Sequence, residues 1–116
     1  APFINGDGNQ SRDFTYVENA VQANMLAMLC EDQKAFGESF NIALGERITI
    51  NQLFEILKEI TGADVAAFHR DAREGDIAHS HAAIEKARKI LNYDPQVKVQ
   101  EGLKKTVEWF KNHWTV

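Results

Sequence analysis

Short apolar stretches alternate with longer segments of helical periodicity along this chain, and the alternation favours a mixed α/β fold. Three stretches are bounded by glycine or charged turns and predict strands, namely residues 2–5, 40–44 and 65–69. Four segments repeat apolar residues every three or four positions and predict helices, namely residues 17–30, 50–60, 81–91 and 100–114. We therefore expect a small sheet of short strands packed with about four helices.

The ends of two predicted helices carry recognisable signals. Thr49 and Gln52 form a capping-box pattern before the second helix, and Gly62 ends it. Ser80 is the expected N-cap of the third helix, and Asn92 in a left-handed conformation is its expected end.

Two apolar stripes predict which helix faces are buried. The stripe of the first helix is expected to pack in the core; it consists of Val17, Val21, Met25, Met28 and Leu29. The aromatic residues of the last helix are interpreted as core residues or as a patch exposed by an absent domain, and stacking on a base or filling a partner's pocket is the alternative. These residues are Trp109, Phe110 and Trp114.

Composition bounds the class of protein. The 116 residues suit one domain spanning 1–116, and a formal net charge of -4 disfavours binding to nucleic acid. The single cysteine, Cys30, is expected to be a small apolar residue of a cytoplasmic protein. No stretch is long and apolar enough to predict a membrane span. Because the sequence opens at Ala1 without methionine, we expect it to be cut from a longer protein.

Two glycine-flanked loops place arginines beside carboxylates. One runs from Gly6 to Phe14 and contains Arg12; the other contains Arg73 and Asp76. A guanidinium group offers paired donors to phosphate oxygens, and a carboxylate accepts hydrogen bonds from ribose hydroxyls. These loops therefore favour a phosphorylated or nucleotide ligand, while solvated ion pairs without a ligand remain the alternative.

The order of motifs resembles the extended short-chain dehydrogenases/reductases, the NAD-dependent epimerase/dehydratase family. The motifs include residues 2–19, Phe40-Asn41-Ile42-Ala43, Arg73-Glu74-Gly75-Asp76-Ile77 and Glu101-Gly102-Leu103. The resemblance covers essentially the whole chain and is greatest to UDP-hexose 4-epimerases, including those of UDP-glucose and UDP-N-acetylglucosamine. Asn19 stands where many members have aspartate.

The resemblance implies a substrate-binding role for four residues. It implies that Arg12 and Arg73 contact the diphosphate of a UDP-sugar and that Asp76 holds the ribose hydroxyls. It further implies that Asn5 lies along the uracil edge. No catalytic, cofactor-binding or metal-binding residue is expected, and His69, His79 and His81 are interpreted as surface or interface histidines.

Two family motifs are missing from the 116 residues. The glycines of Gly6-Asp7-Gly8 lack the third glycine of a dinucleotide turn, and neither Tyr16 nor Tyr93 is followed four residues later by lysine. The resemblance therefore implies the C-terminal portion of an extended enzyme, without the core of its Rossmann domain. We expect the other half to bind NAD and interconvert C4 epimers, the parent to form a homodimer, and this chain alone to be inactive. A dehydratase or decarboxylase fragment and a non-catalytic interaction module are the alternatives.

Overall fold

A computed structural model describes residues 1–79 and 82–114 of the chain. The strands are β1 (Phe3–Asn5), β2 (Ser11–Arg12), β3 (Ile48–Thr49) and β4 (Phe68–Arg70). The helices are α1 (Val17–Leu29), α2 (Ile50–Thr61), α3 (Glu85–Leu91) and α4 (Val99–His113), with a single 3-10 turn at Gln33–Ala35. The predicted mixed α/β class with four helices and little sheet is confirmed.

The strands form two small ladders. β1 and β4 are parallel, with Ile4 opposite His69. β2 and β3 are antiparallel, with Ser11 opposite Thr49. Because β3 leads directly into α2, the second ladder fixes the start of that helix against β2.

Local signals predicted both ends of α2 and the end of α3. The Thr49 hydroxyl accepts the Gln52 N–H while the Gln52 side chain accepts the Thr49 N–H, and Gly62 ends α2 in a left-handed conformation with φ of 68°. Asn92 ends α3 with φ of 56°. The predicted start of that helix at residue 81 is wrong, because α3 begins at Glu85; the proposed cap Ser80 lies outside the described residues.

The predicted strand over residues 40–44 is also wrong, although these residues are all described. Side chains, not a neighbouring strand, bond this backbone: Asp13 accepts the N–H groups of Leu44 and Gly45, and the Tyr93 hydroxyl donates to Ala43 O at 2.7 Å. The strand expected over residues 65–69 is shifted, since β4 spans Phe68–Arg70. β2 and β3 were not predicted.

The core lies between α1, the 43–44 segment and α3. Its buried residues are Ala23, Ala43, Ile84, Ala87, Leu91 and Tyr93. The predicted core stripe of α1 is wrong: Val17 and Met28 are 61% and 70% exposed. The buried face instead carries Asn19 and Ala23, with Leu26 and Cys30 partly buried beside the core. Ala23 lies in the core with Ala87 and Leu91 of α3, and Asn19 bonds the Val97 backbone.

The aromatic residues of α4 are exposed. Trp109, Phe110 and Trp114 have exposed fractions of 53%, 46% and 66%. Trp109 stacks on His113 with ring centroids 4.6 Å apart. The prediction that these three residues lie in the core is therefore wrong for the isolated chain. None of the described helices combines the length and apolar character needed to span a membrane.

Candidate functional site

Arg12 and Asp76 meet at the surface although 64 residues separate them. Arg12 lies in β2, and its Nη2 pairs with Asp76 Oδ1. Its Nη1 donates to Ser11 O at 2.7 Å, which orients the guanidinium plane. The two side chains keep about a quarter and a third of their surface exposed. The pair is therefore accessible to a ligand that replaces either partner, because these two bonds use two of the five guanidinium N–H donors.

Arg73 belongs to the same turn as Asp76. The Asp76 N–H donates to Arg73 O at 3.1 Å, and Gly75 between them has φ of +78°. Residues 71–79 are exposed. The turn therefore brings the backbone of the second predicted arginine close to Asp76, and Arg73 is itself exposed.

Asn5 ends β1 and is held by a different arginine. Its Oδ1 accepts a hydrogen bond from Arg70 Nε, and Arg70 also lies over the Phe3 ring at 5.5 Å. Its backbone oxygen accepts from Gln10 Nε2 at 2.8 Å. These bonds leave the Asn5 side-chain NH2 as a donor. Arg70 was not among the residues predicted to bind a ligand.

The segment that follows Asp76 is fastened to β2. The Ser11 N–H donates to Ala78 O at 2.9 Å, and Ser11 Oγ lies 2.9 Å from His79 Nδ1. Ser11 is buried, with 5% of its surface exposed, and its other edge pairs with Thr49 of β3. β2 is thus bonded on both sides. Sequence reasoning missed the Ser11–His79 contact because 68 residues separate the partners.

The loop after β1 is held by its own polar side chains. Asp7 accepts from the Asn9 backbone and side chain, and these hydrogen bonds lower the pKa of the Asp7 carboxyl. Asn51 Nδ2 donates to Asp7 O at 3.0 Å. Gly8 has φ of +77°, and a Cβ there would lie 2.0 Å from Asn51 Oδ1, so only glycine fits.

This glycine loop does not have the form of a dinucleotide cradle. Such a cradle joins a strand to the N-terminus of a helix, where free N–H groups bind the pyrophosphate. Here Gly6 and Gly8 join β1 to β2, and Gly8 packs against the Asn51 side chain. The described residues at this loop therefore do not fit the NAD that the resemblance implies for the parent enzyme.

Asp13 follows Arg12 but points into the fold. Its carboxylate accepts the Leu44 N–H at 3.0 Å and the Gly45 N–H at 2.9 Å. The carboxylate is therefore a structural group, and the loop sequence alone did not distinguish it from the surface residue Arg12.

Metal binding has no support in the described part of the chain. Within residues 1–79 and 82–114, His, Cys, Asp and Glu side chains form no group of three placed to hold an ion. His69 Nδ1 lies 2.8 Å from Gly6 O and His79 contacts Ser11, while His81 lies outside the described residues. Two guanidinium groups and one carboxylate at the surface suit an anion that also carries hydroxyl groups.

Comparison with known proteins places this surface in a family context. The family model described as GDP-mannose 4,6 dehydratase matches residues 1–106, which include all four predicted binding residues. UDP-glucuronate 4-epimerase from Thermodesulfobacterium geofontis is 36% identical over 112 residues, covering 95% of this chain and 33% of that protein.

Solved structures of UDP-sugar 4-epimerases also match this chain. UDP-glucose 4-epimerase from Thermotoga maritima, solved with UDP-glucose, matches with a TM-score of 0.90 and 43% identity over 98% of this chain and 36% of that chain. UDP-glucuronic acid 4-epimerase from Bacillus cereus, in complex with UDP-glucuronic acid and NAD, gives a TM-score of 0.89 and 29% identity over 97% of this chain and 36% of that chain. The chain spans about a third of the length of the curated relatives it matches, and the matched region is their C-terminal part.

Proposed function

Because the chain belongs to the GDP-mannose 4,6-dehydratase family of NAD-dependent epimerases and dehydratases, we propose that it is the nucleotide-anchoring part of a UDP-hexose 4-epimerase. In this proposal residues 1–116 act as one domain, and the remainder of the parent enzyme binds NAD and carries the catalytic tyrosine and lysine. When bound by the parent enzyme, NAD would accept a hydride from the sugar C4 and then return it. The chain described here contributes binding, not bond-making.

The observation that carries the proposal is the meeting of Arg12 with the Arg73–Asp76 turn. Arg12 pairs with Asp76, which is 64 residues further along the chain, and Arg73 lies three residues before Asp76 in the same turn. A phosphate oxygen can replace Asp76 Oδ1 on Arg12 Nη2, and further phosphate oxygens can bond the guanidinium donors that neither Asp76 nor Ser11 O uses. Asp76 is then available to the ribose hydroxyls, and Arg73 to the second phosphate.

Asn5 completes the proposed site at the base. Its Oδ1 is engaged by Arg70, so its NH2 group donates to a uracil carbonyl oxygen. Anchoring at the nucleotide leaves the hexose free to turn over within the parent's active site between the two hydride transfers. Remote binding energy is thus used to retain and position the reacting sugar.

UDP titration by calorimetry tests this assignment. We expect the purified chain to bind UDP and the Arg12→Ala and Arg73→Ala variants each to lose at least about tenfold in affinity, since each removes charge-assisted hydrogen bonds. Arg88→Ala, an exposed arginine of α3, is the matched control and is expected to bind as the unmodified chain does. A chain that does not bind UDP, or equal losses in all three variants, contradicts the proposal.

The proposed division of labour has a second test. Supplied with NAD and a UDP-hexose, the 116-residue chain is expected to give no epimerisation, because its sequence contains neither the dinucleotide turn nor the Tyr-x-x-x-Lys pair. Measurable turnover would overturn this part of the proposal.

The name of the matching family model favours one rival, a nucleotide-sugar dehydratase parent. Both parents use the same anchoring of the nucleotide, so only the product of the complete enzyme distinguishes them. A 4-keto-6-deoxy sugar would identify a dehydratase, and a C4 epimer supports the proposal. Cytoplasmic location and dimerisation of the parent stay predictions.

A further inference from the structure

We propose that His79 is a positioning residue of the nucleotide site, which acts by pinning the Arg73–Asp76 turn onto β2 through Ser11. This inference rests on the proposed function and names a residue that the sequence motifs did not assign. His79 is exposed and lies three residues beyond Asp76.

The contacts of Ser11 show that His79 holds the segment from Arg73 to His79 and does not hold β2. Ser11 Oγ lies 2.9 Å from His79 Nδ1, and the Ser11 N–H donates to Ala78 O at 2.9 Å. β2 is in turn held from its other side by Thr49 and Ile48 of β3. The strand that carries Arg12 is therefore fixed independently of His79, whereas the exposed segment from Arg73 to His79 depends on its bonds to β2.

The consequence for binding is selective. Loss of the pin loosens the turn that carries Arg73 and Asp76, which then keeps only the Ala78 backbone bond and the Arg12–Asp76 pair, but it leaves Arg12 on its strand. A ligand that needs both loops, such as UDP, loses affinity. Inorganic pyrophosphate loses the same contact with Arg73, but it has no ribose hydroxyls for Asp76 to hold, so its affinity is expected to fall less than that of UDP.

A substitution of similar side-chain length is expected to restore the contact between residue 79 and Ser11. The δ atoms of asparagine are as many bonds from the backbone as His79 Nδ1, and they can bond to the Ser11 hydroxyl. Glutamine places its amide one bond further out. We therefore expect His79→Asn to restore the contact and His79→Gln not to restore it.

Calorimetric titration of the purified chain with UDP and with inorganic pyrophosphate tests the inference. We expect His79→Ala and Ser11→Ala each to weaken UDP binding about fivefold, and the double variant to weaken it no further, because both remove one hydrogen bond. Pyrophosphate affinity is expected to fall less than UDP affinity, and His79→Asn is expected to bind UDP as the unmodified chain does. His113→Ala, at an exposed histidine of α4, is the control and is expected to change neither ligand.

The outcomes separate this inference from the proposed function. An unmodified chain that does not bind UDP overturns both. If it binds UDP, the positioning role alone is overturned by an unchanged His79→Ala variant, by additive losses in the double variant, by equal losses of UDP and pyrophosphate, or by rescue with glutamine as good as with asparagine.

Discussion

Arg12 and Asp13 are adjacent in the chain, yet their side chains serve regions that use polar groups in opposite ways. Asp13 belongs to an interior polar set with Asn19 and Tyr93, whose partners are backbone groups of distant segments. Arg12 belongs to a surface polar set with Arg73 and Asp76, in which the observed ion pair joins two side chains. Backbone partners cannot leave without unfolding the segment, whereas a side-chain partner can be exchanged for a ligand.

The two sets of polar residues therefore have different roles in the protein. The interior set replaces missing sheet hydrogen bonds: Asn19 donates to Val97 O at 2.8 Å and accepts the Val97 N–H at 3.0 Å. The surface set contributes little to folding, because exposed ion pairs are each worth about 0–1 kcal/mol. Substitutions in the two sets are therefore expected to change different observables.

The largest expected effect is that of Asn19→Asp. A carboxylate accepts the Val97 N–H but cannot donate to Val97 O, and the buried charge raises its own pKa. We expect the free energy of unfolding to fall by about 2–4 kcal/mol at pH 7. Protonation restores a donor, so the deficit relative to the unmodified chain is expected to shrink as pH falls towards 4. Urea denaturation of both proteins at each pH measures this difference in the free energy of unfolding. A difference that is absent, or that does not change with pH, would contradict the proposed pair of hydrogen bonds between Asn19 and Val97.

The neighbouring pair gives the next largest effect and the sharpest contrast. Asp13→Ala leaves the Leu44 and Gly45 N–H groups without their acceptor and is expected to cost about 2–3 kcal/mol of stability. Arg12→Ala is expected to cost less than about 1 kcal/mol while abolishing most UDP binding. Comparable destabilisation by both substitutions, measured by urea denaturation, would remove the distinction between the two sets.

Tyr93→Phe is expected to cost about 1 kcal/mol at neutral pH, because it removes the hydroxyl donor to Ala43 O. Burial, with the nearby Asp13 carboxylate, raises the pKa of Tyr93 in the folded state. The folded protein therefore holds this proton more tightly, and the associated stability is present below the unfolded pKa of about 10 and lost as pH rises through the folded pKa. The stability gap between the two proteins should narrow above pH about 10; a constant gap would contradict it.

The smallest expected effect on stability belongs to Asp76→Asn, which should change it by no more than about 0.5 kcal/mol. The substitution releases Arg12, so the affinity for inorganic pyrophosphate is expected to rise. Glu74→Gln removes the same charge from the same turn but leaves the Arg12–Asp76 pair intact. A rise with Asp76→Asn that exceeds the rise with Glu74→Gln supports exchange of the pair, and equal rises would indicate only a general charge effect.

Features with local causes were predictable from the sequence. The capping box at Thr49, the left-handed ends at Gly62 and Asn92, and the long helix α4 each depend on residues within one or two turns. The non-local features were missed. Residues 40–44 look like a strand, but their bonding groups belong to Asp13 and Tyr93, which no local pattern reveals.

Contacts between distant segments were likewise not predictable at the candidate site. Arg12, Arg73, Asp76 and Asn5 came from motif positions, and the structure brings Arg12 and Asp76 together, but their binding of a ligand stays a prediction. For α1, the apolar stripe predicted the wrong face, because the buried face carries Ala23 and Asn19, and the partner of Asn19 is the distant Val97 backbone. The Ser11–His79 contact required the folded chain.

An amide-resolved NMR titration with UDP tests the central claim most directly. If the chain anchors a nucleotide at the surface polar set, the largest shift changes lie at residues 10–12 and 73–79, with smaller changes near Asn5. Changes centred on Trp109 and Trp114 of α4, or no changes on addition of UDP, would contradict it.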